Sequence, residues 1–124
     1  MPTEKRLPDA ELAVMQAIWA CEGPAKRAQI EENLQKTHPM AATTLLTLLS
    51  RLAGRGFVQI EKTGRSAVYR PLVRQEDYLA WQSRRFLDTL CGGRVDAFAA
   101  ALCGGSLTQE ELRQLRELLE RGAL

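Results

Sequence analysis

The sequence has no long apolar run and no apolar leader. No stretch of its 124 residues approaches the roughly 20 consecutive apolar positions that a membrane-spanning helix needs. The first residues, MPTEKRLPDAE, also lack the apolar core of a signal peptide. We therefore expect a cytoplasmic protein without a membrane segment.

Cysteine and histidine are scarce and form no recognisable cluster. The three cysteines, Cys21, Cys91 and Cys103, include no C-x-x-C pair, and His38 is the only histidine. A disulfide framework uses an even number of cysteines, and a structural zinc site needs four Cys or His ligands at short spacing. Glycine-rich phosphate loops and nucleophile motifs are missing as well. These absences predict no metal, no cofactor and no enzymatic activity.

A strong excess of one charge is also missing, because the net charge is only +2. The charges are nevertheless unevenly distributed. Residues 1–74 carry 11 Lys and Arg against 7 Asp and Glu, whereas residues 75–124 carry 6 against 8. We therefore predict two regions, residues 1–74 and residues 75–124, and expect any polyanionic partner to bind the first. Chance variation is the alternative, because charge differences this small are common.

Residues 41–55 have the pattern of an amphipathic helix with an unusual polar face. At 100° per residue, Leu45, Leu48, Leu49 and Leu52 fall together on one face. The opposite face and its edge carry Thr43, Thr44, Leu46, Thr47, Ser50 and Arg51. Hydroxyl groups can bond to DNA phosphates or base edges, and an exposed leucine can meet the methyl group of thymine. A surface that covers another helix would explain the same face, so both interpretations stay open.

A glycine stop and a basic hairpin follow this helix. Gly56 is placed as the C-terminal cap, and residues 57–62 alternate apolar and polar side chains as a half-buried strand does. A turn at Thr63-Gly64-Arg65 leads into the return strand, residues 66–70. Two helices precede, at residues 9–20 and 25–36. The pattern predicts a mainly α fold with a small β-hairpin wing, a winged helix-turn-helix domain whose third helix enters the major groove of DNA.

Basic side chains surround the predicted groove-binding helix. Lys26 and Arg27 are predicted in the first turn of the second helix, where the helix dipole disfavours positive charge. A nearby phosphate would supply the missing anion, and ordinary solvated charge is the alternative. The full set of predicted phosphate contacts is Lys26, Arg27, Arg55, Lys62 and Arg65.

The start of the first helix has only part of a capping signal. Leu7 and Leu12 are spaced as a hydrophobic staple, and Glu11 stands where a capping-box acid belongs. Position 8 is proline, which has no side-chain oxygen to accept a backbone N–H. Either the cap moves to Asp9 or the helix start is less firmly held.

Residues 75–124 predict a helical dimerisation region. They contain three apolar helical segments, the last of which opens with a capping box at Thr108 and Glu111. About 50 residues cannot enclose a core of their own, and a second copy of the chain is the simplest partner. The predicted interface residues are Tyr78, Trp81, Phe86, Leu87, Leu90, Phe98, Leu102, Leu112, Leu115 and Leu119. Such a homodimer would read an inverted repeat with half-sites one turn of ~10 bp, or a multiple of it, apart.

Motifs in the first region resemble those of a known family. T-T-x-x-T-x-L-x-R-L-x-x-x-G runs from Thr43 to Gly56, and G-R-x-x-x-Y-x-P runs from Gly64 to Pro71. The opening E-x-x-V-M-x-x-I-W, which begins at Glu11, is similar as well. These motifs resemble the penicillinase repressor family of BlaI, MecI and CopY, and the resemblance covers nearly the whole chain.

The resemblance implies a homodimeric transcriptional repressor that occupies a dyad operator and releases it on induction. In antibiotic-sensing members, a membrane sensor triggers proteolysis in the C-terminal region; in copper-responsive members, a C-terminal cysteine cluster exchanges metals. Here Ala101-Leu102 stands at the cleaved position in place of the expected Asn-Phe pair, and the tail has no cysteine cluster. The resemblance implies an upstream sensor protein as a candidate partner, while these departures leave the inducing signal open.

Two other interpretations of the chain remain. Cys91 and Cys103 both lie near paired glycines and could respond to oxidant or metal by loosening the dimer, although small buried apolar residues would look the same. Alternatively, the winged helix could bind a protein through its threonine-rich face.

Overall fold

The structure, a computed structural model, describes residues 6–122, which form two compact units that divide between Gln82 and Ser83. The first unit contains α1 Asp9–Trp19, β1 Ala25–Lys26, α2 Arg27–Thr37, α3 Ala42–Gly54, β2 Val58–Thr63 and β3 Ser66–Pro71. Helix α4, Gln75–Leu90, runs from the first unit into the second, which also holds α5 Val95–Ala101 and α6 Gln109–Glu120. No helix in residues 6–122 is long and apolar enough to cross a membrane. The functional division after residue 74 stays a prediction.

Three helices and a small antiparallel sheet build the first unit, which confirms the predicted winged helix-turn-helix fold. The strand order is β1-β3-β2, with Tyr69 of β3 paired to Ala25 on one side and Ile60 on the other. The sequence pattern places residues 25 and 26 in the second helix, but the structure begins that helix at Arg27. A strand of two residues is too short to show an alternating pattern, so its pairing with the wing is visible only in the fold.

One apolar core holds these elements together. Helix α3 contributes Leu45, Leu48, Leu49 and Leu52, all buried, which confirms the predicted apolar face. The other buried apolar side chains are Leu7, Ala13, Val14, Met15, Ala17, Ile18, Ala25, Ile30, Leu34, Phe57, Val58, Tyr69, Val73 and Tyr78. Truncation of one such leucine to alanine costs about 2–5 kcal/mol, so the position of α3 is strongly fixed.

Tyr78 joins the start of α4 to this core. Its hydroxyl accepts the Leu7 N–H at 2.9 Å, and its ring centroid lies 5.9 Å from that of Trp19 and 6.0 Å from that of Phe57. The sequence predicts Tyr78 at a dimer interface, whereas its side chain lies within the core of the first unit. The apolar pattern of α4 shows which face of the helix is buried. It does not show that the first turns of α4 belong to the first unit and the last turns to the second.

The end of α3 is closed by the predicted glycine cap. Gly56 has a φ of +82°, in the left-handed region that glycine tolerates best. The N–H of Phe57 donates to the Leu52 carbonyl at 2.9 Å, and the N–H of Gly56 donates to the Ala53 carbonyl at 3.1 Å. This pair of bonds is a Schellman motif, which satisfies two carbonyls at the helix end and turns the chain towards β2.

The start of α1 departs from the predicted capping box. Pro8 precedes the helix and makes no side-chain cap bond. The reciprocal bond of a capping box needs a backbone N–H at that position, and proline has none. The buried Glu11 carboxylate instead accepts a hydrogen bond from Arg55, directly after α3. Glu11 therefore connects the first and third helices.

The second unit has no buried side chain among its described residues, Ser83 to Gly122. The rings of Phe86 and Phe98 stack edge to face, with centroids 5.6 Å apart. Helix α6 begins with the predicted capping box: the Thr108 hydroxyl accepts the Glu111 N–H at 3.1 Å, and the Glu111 carboxylate accepts the Thr108 N–H at 2.8 Å. The helices of this unit are thus well defined locally, but they leave their apolar faces uncovered.

Candidate nucleic-acid interface

Helix α3 presents the predicted polar face to solvent. Thr43, Thr44, Leu46, Thr47, Ser50 and Arg51 are all exposed, while the leucines behind them are buried. The helix has no acidic residue, so nothing on it would repel a polyanion. This face combines hydroxyl groups with one cationic side chain, which suits contacts to phosphates and base edges.

The Thr47 hydroxyl is already engaged within the helix. It donates to the Thr43 carbonyl oxygen at 3.0 Å, as Ser and Thr side chains often do one turn back along a helix. Since a hydroxyl has a single hydrogen, Thr47 Oγ1 can then only accept a further bond. In the major groove, the groups that could donate to that oxygen are the amino groups of adenine and cytosine.

Ion pairs separate the predicted phosphate contacts into two groups. Lys26, Lys62 and Arg65 make no ion pair with any residue in the described part of the chain, and neither does Arg51 on α3. Arg27 pairs with Glu31 at 2.9 Å on the exposed surface of α2. Exposed pairs of this kind contribute little to stability and exchange readily with other partners, so Arg27 can still turn to a phosphate.

Arg55 has a different environment from the other cations. Its guanidinium binds Glu11, whose side chain is only 2% exposed. Removing the partner of a buried carboxylate leaves an uncompensated charge, which is costly. The Arg55 side chain is 46% exposed, but its pairing makes it a support between α1 and the end of α3, a role that the sequence pattern does not suggest.

A basic cleft lies between α2 and the wing. It has a volume of about 370 Å³, and three cations, Lys26, Arg27 and Arg65, line it with one carboxylate, that of Glu31. The pairing of Lys26 in β1 with Val68 in β3 brings the start of α2 beside the hairpin. The first turn of α2 contains no acidic residue, so its dipole adds to the positive potential. Lys26 and Arg27, which are neighbours in the sequence, and the distant Arg65 therefore line one cleft that suits an anion.

The wing is positively charged at its tip because its one carboxylate is already paired. Glu61 accepts hydrogen bonds from Arg70 at 2.9 and 3.4 Å across the hairpin. These bonds lower the pKa of Glu61 below its ordinary value. Lys62 and Arg65 are both exposed on either side of the turn at Gly64, so a polyanion can reach both side chains.

The predicted interface residues of the second unit lie on partly or fully exposed surface. Phe86, Leu90 and Leu119 are exposed, while Leu87, Phe98, Leu102, Leu112 and Leu115 are half-buried. Trp81 lies in the first unit, where it is half-buried against the core.

The three cysteines are free thiols in this structure. Cys21 donates to the Ala17 carbonyl and accepts a hydrogen bond from Asn33, and partial burial raises the pKa of its thiol. Cys91 is half-buried and Cys103 is exposed. Within residues 6–122, no three His, Cys, Asp or Glu side chains lie close enough together to hold a metal ion.

Comparisons with known proteins match this geometry. The sequence profile of the penicillinase repressor family matches residues 7–121. The penicillinase repressor of Bacillus licheniformis is 33% identical over 120 residues, which are 94% of this chain and 93% of that protein. The methicillin resistance regulatory protein MecI of Mammaliicoccus sciuri is 27% identical over 90% of this chain and 91% of that protein. The solution structure of Bacillus licheniformis BlaI with the blaP half-operator superposes with a TM-score of 0.50 and 34% identity, covering 60% of this chain and 89% of that one.

Proposed function

The chain belongs to the penicillinase repressor family, and we propose that it is a transcriptional repressor that binds operator DNA as a homodimer. Its named relatives are regulators of gene expression rather than enzymes, and BlaI was solved in complex with a half-operator. The observation that carries the proposal is the exposed face of α3, which presents hydroxyl groups and Arg51 on the same unit as the exposed cations of the wing and of the α2 cleft.

Base recognition is assigned to α3. Thr43, Thr44, Thr47, Ser50 and Arg51 have side chains short or flexible enough to reach base edges once the helix enters the major groove. The four buried leucines on the opposite face hold the helix in place, so little conformational entropy is lost when it binds. Sequence preference then depends on the exposed residues of this single helix.

Phosphate contacts are assigned to the α2 cleft and the wing. A DNA backbone phosphate in the cleft would meet Lys26, Arg27 and Arg65 together. Lys62 would contact the DNA backbone near the wing tip. Each cation that neutralises a phosphate releases condensed counterions, so affinity should fall steeply as salt rises. These contacts set the position of the domain on the duplex and carry no sequence information of their own.

Dimerisation is assigned to residues 75–124, mainly to the part from Ser83 onward. Its apolar side chains are not buried within the unit, and a symmetric dimer would cover the same surface on both copies. Two α3 helices related by a two-fold axis would fit an inverted repeat whose half-sites lie about 10 bp, or a multiple of that distance, apart. A repressor acts on the chromosome, which places the protein in the cytoplasm, and an upstream sensor would supply the inducing signal.

Fluorescence anisotropy with DNA from upstream of the gene tests the proposal. At moderate salt, the full chain should bind this fragment about 10³-fold or more tighter than a random duplex of equal length. A Thr44→Ala/Thr47→Ala variant should lose most of this preference and keep its binding to random DNA, since its phosphate contacts are intact. Equal affinity of the natural chain for both duplexes would contradict the proposal.

A further inference from the structure

Leu46 is the one large apolar side chain on the exposed face of α3. It is 39% exposed, whereas the other four leucines of the helix are at most 6% exposed. Thr43 lies one turn before it and Ser50 one turn after it, so hydroxyl side chains flank it along the helix. Leu46 does not belong to the core cluster of the first unit.

The fold gives no reason for leucine at this position. Lysine, glutamine or glutamate would support the helix about as well and would interact more favourably with water. The exposed part of the Leu46 side chain gains no apolar contact within the unit, because Leu46 lies outside the core cluster. Its position in the middle of the polar face, at the centre of the surface assigned to base recognition, points to a contact that forms only in the complex.

The major groove offers one apolar group that a leucine can meet. Among the four bases, only thymine presents a methyl group there, the 5-methyl beside its O4. Contact between that methyl and Leu46 would remove both from water. A base without the methyl would leave the leucine facing a polar edge, where it has no hydrogen bond to offer.

We propose that Leu46 recognises a thymine through its 5-methyl group and so fixes the preferred base at one position of each half-site. This inference rests on the proposed DNA binding by α3. Leu46 would then determine specificity through an apolar contact, whereas the hydroxyl groups and Arg51 on the same face would bind hydrogen-bonding atoms of the bases. The affinity due to one buried methyl corresponds to about a fourfold change in binding.

Uracil substitution tests the contact, because it removes only the methyl group and keeps the base pair and O4. The preferred site is first selected from a random DNA library with the full chain, and each thymine of one half-site is then replaced in turn by uracil. We expect the natural chain to lose about fourfold in affinity at one of these positions. Leu46→Ala and Leu46→Gln should bind more weakly than the natural chain, or prefer another base, and should lose no affinity at that uracil.

Ser50→Ala is the matched control, since it shortens an exposed side chain on the same face and leaves Leu46 in place. It should keep the uracil sensitivity of the natural chain. If the Leu46 variants show the same loss at the same uracil as the natural chain, or if no uracil weakens the natural chain, the contact is wrong while the proposed function stands. A chain that selects no sequence at all would overturn the proposed function and the contact together.

Discussion

Glu11 and Arg55 show how one ion pair can connect two parts of the domain that the sequence separates by 43 intervening residues. Glu11 is fixed on α1 by the surrounding core, and Arg55 is the first residue after α3. The pair therefore holds the C-terminal end of α3 against α1. Removing the only ionic partner of a buried carboxylate lowers the free energy of unfolding more than breaking an ion pair on the surface does.

Replacement of Arg55 by alanine should destabilise the first unit. We expect a loss of about 2 kcal/mol in the free energy of unfolding, below the 3–5 kcal/mol of a fully buried pair because Arg55 is partly solvated. Arg51→Ala is the control: Arg51 is exposed and makes no described ion pair, so its loss should change stability by less than about 0.5 kcal/mol while weakening DNA binding. Urea unfolding of the full chain measures both values, and equal stability of the two variants would contradict the role of Arg55.

Arg65 should act on DNA affinity without acting on sequence preference. Arg65→Ala removes one cation from the α2 cleft, so affinity should fall about equally for all duplexes and the salt slope should decrease by roughly one unit. Lys36→Ala, which removes an exposed cation from the other end of α2, should leave the slope unchanged. The slope comes from binding constants measured across a salt series. An unchanged salt slope in Arg65→Ala would show that the cleft does not contact the DNA backbone.

The helices and the hairpin were largely predictable because each carries a signal that spans a full turn or more. The leucine spacing predicts the buried face of α3, the glycine after it predicts the helix end, and Thr108 with Glu111 predicts the start of α6. All three predictions are confirmed. Strand β1 and the Glu11–Arg55 pair were not predictable, since both depend on residues that only the fold brings together. The same is true of the basic cleft, whose cations come from residues 26, 27 and 65.

Two glycines at the end of α3 should respond in opposite ways to alanine. Gly56 has a left-handed φ, so Gly56→Ala should cost about 1 kcal/mol in the free energy of unfolding. Gly54 lies inside the helix with no atom within 4 Å of an added Cβ, so Gly54→Ala should add about 0.5–1 kcal/mol. Thermal or urea unfolding distinguishes them, and a shift of the same sign in both would contradict the cap geometry.

The whole chain combines a unit with a well-buried core and a unit with none among its described residues. A sequence pattern identifies the apolar faces in both, but it does not say which of them another copy would cover. Both Tyr78 and Leu119 fit the apolar pattern of a helix, yet Tyr78 is buried in the core of the first unit and Leu119, on α6, is 60% exposed. Under the proposed dimer, the second unit completes its core only when two chains meet.

Leu119→Asp should therefore prevent dimerisation and leave the first unit folded. A charge at a buried apolar interface is strongly unfavourable, so sedimentation should show a monomer at concentrations where the natural chain is a dimer. Leu72→Asp, which places the same charge on an exposed leucine of the first unit, should leave the mass unchanged. A Leu119→Asp variant that remains a dimer would require another interface.

Cooperative binding to a two-fold site tests the repressor assignment as a whole. The half-site selected by the full chain is placed in two labelled duplexes. One duplex carries it once, and the other carries it twice as an inverted repeat whose centres lie about 10 bp, or a multiple of that distance, apart. Binding is followed by analytical ultracentrifugation. We expect two chains on the inverted repeat, with an affinity far above that for the single half-site, and a return to half-site affinity in Leu119→Asp. One chain per duplex, or equal affinity for the repeat, the half-site and a shuffled sequence, would contradict a homodimeric, sequence-specific repressor.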